Sequence, residues 1–226
     1  MLRDDARPRR PAVPRTLVIL AHPQPEHSRV SRALADAARA LGPEVAVRDL
    51  YALYPDYLID PAAEQAALAG VRLLVWLHPI HWYGMPPLMK LWLDEVFAFG
   101  WAYGPGGTAL HSADLWLAVS TGGSEASYHP QGHNRHFFDA FLPPYEQTAA
   151  LAGLRFLPPL VLHGAHRASD AEVDAHARLF AQRLASHPDW PELADLPACT
   201  ACEVPRDERP AEPAAAGVAA AAMLAG

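Results

Sequence analysis

Three segments of this chain carry residue types and spacings suited to holding a flat, hydrogen-bonding ligand with an anionic end. The first is His78-Pro79-Ile80-His81-Trp82-Tyr83-Gly84-Met85-Pro86-Pro87, where rigid aromatics follow an apolar run and precede a helical pattern. Ile80, His81, Trp82 and Tyr83 there could form a wall for a planar ring. The same aromatics would also suit a core or a subunit interface, since aromatic side chains dominate both. The second segment, Ala21-His22-Pro23-Gln24-Pro25-Glu26-His27-Ser28-Arg29-Val30-Ser31, lacks the GxGxxG of a dinucleotide loop and the GKS or GKT ending of a phosphate-binding P-loop. A helix starting at Ser28 would nevertheless offer free backbone N–H groups, the hydroxyls of Ser28 and Ser31 and a positive dipole end to one phosphate. The competing reading makes Ser28 a plain N-cap and His22 a turn residue. The third segment, Ser120-Thr121-Gly122-Gly123-Ser124, has two glycines that let the backbone run close against a ring and bond its heteroatoms.

The elements that must position these segments follow from periodicity. Thr16 to Ala21, Val45 to Asp49, Val71 to His78, Asp114 to Ser120 and Arg155 to His163 read as strands. Near-continuous apolarity in the third is expected of a strand buried on both faces of a parallel sheet. Helical patterns separate the strands. Ser28 to Leu41 places Val30, Leu34, Ala37, Ala38 and Leu41 on one face, and Asp60-Pro61 opens a helix with an N-cap and a proline at N1. Leu88 to Phe99 follows the aromatic loop, Phe137 to Leu151 is interrupted by Pro143-Pro144, and Ser169-x-x-Glu172 is a capping box before a helix with Val173, Ala177, Phe180 and Leu184 on its apolar face. Pro158-Pro159 would remove ladder donors from the fifth strand, which suits a sheet edge. Five such units predict an α/β fold: a flavodoxin-like, doubly wound five-stranded parallel sheet of order 2-1-3-4-5 in three αβα layers. Ligands in such sheets bind at the carboxyl edge near the switch point, here between strands 1 and 3. The three unusual loops all leave that edge.

Bulk properties narrow the partners. The chain has 226 residues, 51% hydrophobic and 19% charged, with a net charge of −7, which disfavours a nucleic-acid surface. Residues 1 to 15 hold five arginines against two aspartates, a local +3 that leaves −10 for the rest. No apolar h-region follows that basic start and no run reaches the length of a membrane span, so we expect a cytoplasmic protein. The segments 1–14 and 188–226, rich in Pro, Ala, Arg and Glu without a hydrophobic period, are expected to be disordered tails around one domain at 15–187. Both cysteines, Cys199 and Cys202, fall in the second tail, so no disulfide framework is expected. His129, His133 and His136 share one loop and His163 and His166 another, without carboxylates in register for a metal. Lys90, the only lysine, reads as a surface residue.

Together the segments AHP…S (Ala21 to Ser28), LYALYPDYLID (Leu50 to Asp60), HPIHWYGMPPLMKLWLDEVF (His78 to Phe97), GWAYGPGGTALH (Gly100 to His111) and STGG (Ser120 to Gly123) resemble the flavin-dependent NAD(P)H:quinone oxidoreductases of flavodoxin-like fold. The resemblance spans about residues 15 to 187. It is nearest to the subgroup of ancillary quinone reductases that accompany glutathione-gated potassium efflux systems. It implies FMN in preference to FAD, bound at its phosphate and ribityl end by His22, Ser28, Arg29, Val30 and Ser31. Ile80, His81, Trp82 and Tyr83 would pack against the ring, and Ser120, Thr121, Gly122 and Gly123 would bond its pyrimidine edge.

The implied chemistry is two-electron hydride transfer from NADH or NADPH to a quinone by a ping-pong route, in a homodimer with the active site at the interface. Trp101 and Tyr103 would cover the substrate. Tyr128 and His133 would stabilise charge near the ring, although the family's histidine position falls on Asn134, next to His133. Ser120 stands where a threonine is usual, and Ser124 where the efflux-linked subgroup has a third glycine. The resemblance also allows two other roles: a regulatory subunit on the inner face of a membrane antiporter, or an electron carrier of flavodoxin type.

Overall fold

The computed structural model describes residues 14–196. Strands β1 (Thr16–Leu20), β2 (Val45–Asp49), β3 (Leu73–Pro79), β4 (Asp114–Ser120) and β5 (Arg155–Leu162) form one sheet in the order β2-β1-β3-β4-β5. Every adjacent pair is parallel. This is the flavodoxin-like order the alternation predicts. The helices are α1 (Arg29–Arg39), α2 (Leu50–Leu53), α3 (Pro61–Leu68), α4 (Pro87–Val96), α5 (Pro143–Leu151) and α6 (Asp170–Ser186).

Strand geometry sends alternate side chains to opposite faces, and β1, β3 and β4 are buried on both. Leu17, Ile19, Leu74, Trp76, Leu115 and Leu117 share one layer with Leu88, Met89 and Trp92 of α4 and Tyr145 of α5. Val18, Leu73, Val75, Trp116 and Ala118 share the other with Leu34 and Ala38 of α1 and Phe180 and Leu184 of α6. Each fully buried large apolar side chain contributes about 1.5–3 kcal/mol, so the two layers together fix the sheet and its carboxyl edge.

The local signals act as their chemistry predicts at several helix starts. Asp60 caps α3 by accepting from the Ala63 N–H, with Pro61 at N1. Ser169 and Glu172 form the capping box of α6. At the edge strand β5, Pro158 and Pro159 occupy a register shift opposite Trp116 and Ala118. The Pro158 carbonyl accepts from Trp116 Nε1 at 3.0 Å, so a side chain satisfies a backbone acceptor at this irregularity.

The packed chain runs past the expected domain end at 187. Trp190 is 4% exposed, meets Trp116 edge-on at 4.8 Å and donates from Nε1 to the Arg183 carbonyl. One tryptophan and Leu193 bury enough apolar surface to hold this turn, a signal that the Pro-rich composition around it obscured. Residues 1–13 and 197–226, with Cys199 and Cys202, lie outside the described residues.

Candidate functional site

Two adjoining clefts lie along the carboxyl edge of the sheet, and Ile80 lines both. The first, about 290 Å³, is lined by His22, Ser28, Arg29, Val30, Ser31, His81, Ser120, Thr121 and Gly122, together with Gln24, His27, Ala165 and His166. The second, about 260 Å³, is lined by Trp82, Tyr83, Gly123, Tyr128 and His133, with Ser127 and Asn134. Residues from loops more than a hundred positions apart therefore share one edge, because the strand order sets the loops after β1, β3 and β4 side by side.

At the start of α1, Ser28 occupies the N-cap position but makes no side-chain cap. Its Oγ is buried and has no partner among the described residues, a costly state for a hydroxyl. The N–H groups of the helix's first turn lack intrahelical acceptors, so this corner presents donors that an anion can satisfy. His22 accepts the Gln24 N–H at Nδ1 (3.1 Å), which leaves Nε2 as its protonated nitrogen. Burial, and then the nearby His81, pull the His22 pKa below its ordinary value. The Arg29 guanidinium pairs with Asp170 of α6 at 2.6 Å, so part of its charge is already engaged.

The aromatic wall is a tight hairpin. His81 and Gly84 exchange both backbone hydrogen bonds at 3.0 Å, and the two residues between them, Trp82 and Tyr83, hold φ of 48° and 66°. Positive φ at both central positions is the twist of a two-residue hairpin turn, usually supplied by Asn or Gly. Two bulky aromatics in that conformation are strained. The indole of Trp82 is 95% exposed, so no packing of its own offsets this. Tyr83 instead stacks on Phe141 at 5.0 Å.

The glycine segment is laced to the loop after β5. The Thr121 hydroxyl donates to the Gly123 carbonyl (2.8 Å), which also accepts the Gly164 N–H (2.8 Å). His163 Nδ1 lies 3.0 Å from Thr121 Oγ1. Among the described residues the N–H groups of Gly122 and Gly123 find no acceptor. A Cβ on Gly122 would come within 3.3 Å of His166 Nε2 and crowd the cleft. Tyr128 is nearly buried, and burial raises its hydroxyl pKa above the usual value, so it remains a proton donor at neutral pH.

Trp101 and Tyr103 line neither cleft of the chain. Trp101 packs beside Phe97 and Tyr103 meets Phe99 edge-on, so within one subunit neither covers the site. The loop after β5, which brings Ala165 and His166, was missed by sequence reasoning that stopped at three loops. The order 2-1-3-4-5 already placed it next to the β4 loop. Among the described residues no three His, Cys, Asp or Glu side chains converge as a metal ion requires.

The fold and this edge define the class: the chain belongs to the family described as having a flavodoxin-like fold, whose model matches residues 14–184. Among individual proteins, it is 48% identical over 168 residues to the glutathione-regulated potassium-efflux system ancillary protein KefF of Citrobacter koseri, covering 74% of this chain and 94% of that one. Among solved structures it is 40% identical to general stress protein 14 of Treponema denticola, seen in complex with FMN, with a TM-score of 0.71 and coverage of 76% and 99% of the two chains. A quinone-reductase candidate from Klebsiella pneumoniae is 25% identical, with a TM-score of 0.64 and coverage of 75% and 84%.

Proposed function

We propose that this protein is an FMN-dependent NAD(P)H:quinone oxidoreductase. The observation that carries the reading is the unpartnered Ser28 hydroxyl at the head of α1, set on the same edge as the free glycine N–H groups and the strained aromatic turn. An anion at one end and a hydrogen-bonding ring at the other would meet both needs. The relative that binds FMN and the quinone-reductase candidate support the cofactor and the acceptor class.

In this reading Ser28, Ser31 and His22 Nε2, with the first turn of α1, bind the phosphate. Gly122 and Gly123 donate to the pyrimidine edge, and Ile80, Trp82 and Tyr83 bound the ring. Bound FMN would supply two-electron hydride chemistry between a nicotinamide and a quinone. Tyr128, kept protonated by burial, would hold a proton at its hydroxyl beside the acceptor, with His133 at the rim. Trp101 and Tyr103 could close the substrate pocket only from a second copy of the chain, which fits a homodimer with a shared active site.

The test is direct. The protein is mixed with FMN, desalted, and titrated anaerobically with NADH and with NADPH before a benzoquinone is added. Retained yellow colour that bleaches with a nicotinamide and returns with the quinone supports the reading. Colour without bleaching favours an electron carrier, and no retained flavin overturns the cofactor assignment.

The likeness to an efflux-system ancillary protein favours a second role beside the first: docking on the cytoplasmic face of a potassium antiporter. Among the described residues no helix is long and apolar enough to cross a membrane. Co-purification with an antiporter, measured with flavin loaded and absent, tests that role separately.

A further inference from the structure

We propose that His163 is a positioning residue of this site: its Nδ1–H fixes the Thr121 hydroxyl, and through it the glycine segment that would receive the flavin ring. The inference rests on the flavin reading above.

The geometry has one consistent direction. Thr121 Oγ1 lies 2.8 Å from the Gly123 carbonyl, which can only accept, so the hydroxyl proton points there. The contact of that oxygen to His163 Nδ1 at 3.0 Å is then a bond the hydroxyl accepts, with the proton on Nδ1, and the Tyr128 hydroxyl is the other side-chain group that faces it. Thr121 is 2% exposed, so no water competes for the hydroxyl. Together with the Gly164 N–H, Thr121 saturates the Gly123 carbonyl, and its bond to that carbonyl closes a turn that holds both glycine N–H groups between its ends.

His163 is itself held from several sides. Its ring lies 5.2 Å from Tyr128 and 5.3 Å edge-on from Phe138, and it leaves the end of β5 beside the β4 loop. Glu125 is the charged group that acts on it, and its field opposes the burial that lowers the imidazole pKa. Because Nδ1 carries a proton in both the neutral and the cationic ring, the bond to Thr121 survives a change of pH. His163 touches neither cleft, so it acts through Thr121 and is not a catalytic residue.

The residue type is informative. A histidine Nδ1 sits where the amide nitrogen of an asparagine side chain sits, so His163→Asn keeps the donor and removes the titration, whereas His163→Leu keeps bulk and removes the donor. The experiment measures dissociation constants of FMN and of riboflavin, which lacks the phosphate, for the full-length wild type and both variants, with the midpoint potential of the bound flavin. Loss of one hydrogen bond that orders a binding loop predicts His163→Leu to weaken both flavins by the same factor, about tenfold. The bound flavin should also show a more negative potential, because fewer ordered donors face its pyrimidine edge. His163→Asn should restore affinity and potential most of the way.

Equal damage by Asn and Leu, or no change in either, overturns the inference. A loss confined to FMN places the effect at the phosphate and overturns it as well. Should His163→Leu fail to fold, Thr121→Val breaks the same chain with little change of shape and carries the same expectations. Failure of the wild type to bind either flavin would instead overturn the cofactor reading, which separates the two outcomes.

Discussion

The buried carboxylate of Glu64 is answered by three neighbouring side chains, while the buried hydroxyl of Ser28 is answered by none. The Glu64 carboxylate, fully buried on α3, accepts from Arg48 of β2, from the Tyr54 hydroxyl and from Trp92 Nε1 at 2.9 Å. Contact with that carboxylate raises the Arg48 pKa, and burial followed by the same carboxylate raises that of Tyr54. This cluster satisfies the buried carboxylate from three side chains and ties α3 and α4 to the sheet. The Ser28 corner is equally buried but open, with its hydroxyl unpartnered and glycine N–H groups free across the edge. The Glu64 carboxylate is thus completed within the fold, whereas the Ser28 hydroxyl and the glycine N–H groups border clefts where a ligand would complete them.

The contrast breaks most visibly at Glu64. Removing one partner of a buried ion pair strands the other, so Glu64→Ala is expected to cost about 3 kcal/mol in urea unfolding, toward the lower end because Arg48 is partly solvated. FMN affinity of the remaining folded protein should be unchanged. A tenfold loss of affinity would show that the closed cluster also shapes the cleft, and the separation drawn between the two regions would fail.

A loss of similar size should follow acidification, through His78. This imidazole is fully buried at the end of β3, donates from Nδ1 to the Pro79 carbonyl at 2.9 Å and stacks on Tyr145, and burial lowers its pKa to about 4. The unfolded chain binds this proton near pH 6.5 and the folded chain only near 4, so stability is full above 6.5 and falls as pH drops between those values. The loss amounts to about 3 kcal/mol at pH 4. His22, His163 and His176, also lowered chiefly by burial, add slopes of the same sign. His78→Asn should flatten the profile between pH 6.5 and 4, and an unaltered slope would mean that solvent reaches this histidine.

At the open corner the expected sign reverses. Ser28→Ala removes a buried hydroxyl with no partner, so the unliganded protein should melt at the same temperature or higher. Its FMN affinity should fall about tenfold, the worth of a hydrogen bond to a charged group. Riboflavin affinity should not change, because the phosphate is the group lost. A variant that loses both stability and riboflavin affinity would make Ser28 a structural residue.

Most of the fold was legible because its signals are local or periodic. Buried parallel strands read as continuous apolar runs, and Asp60-Pro61 and Ser169-x-x-Glu172 fix helix starts by chemistry confined to one turn. That candidate residues on three loops share one edge was legible because strand order alone brings those loops together. What escaped depends on distant packing. Nothing local marks Trp190 as the partner of Trp116, or His163 as the donor to Thr121, since both contacts join elements that meet only in the finished sheet. Trp101 and Tyr103 pack away from the clefts in their own chain, so their place at the site rests on a second copy, which no local pattern specifies. Sequence also gave no hint that the Trp82-Tyr83 turn adopts positive φ, because Asn and Gly are the usual markers of that geometry.

That turn supplies the smallest effect and the finest test. At φ 48° an L-residue is disfavoured by about 1–2 kcal/mol, whereas a glycine avoids that cost and loses about 0.5–1 kcal/mol through the freer unfolded chain. The indole is 95% exposed, so little burial is forfeited. The balance predicts that Trp82→Gly stabilises the unliganded subunit by about 0.5 kcal/mol. FMN affinity should fall several-fold if the side chain or its fixed turn bounds the ring. Opposite signs for stability and affinity would show strain held at the open region for the sake of the ligand, as the comparison with Glu64 requires. If Trp82→Gly instead destabilises the protein, the indole is packed against something, and sedimentation of wild type and variant would show whether that surface is a second copy of the chain.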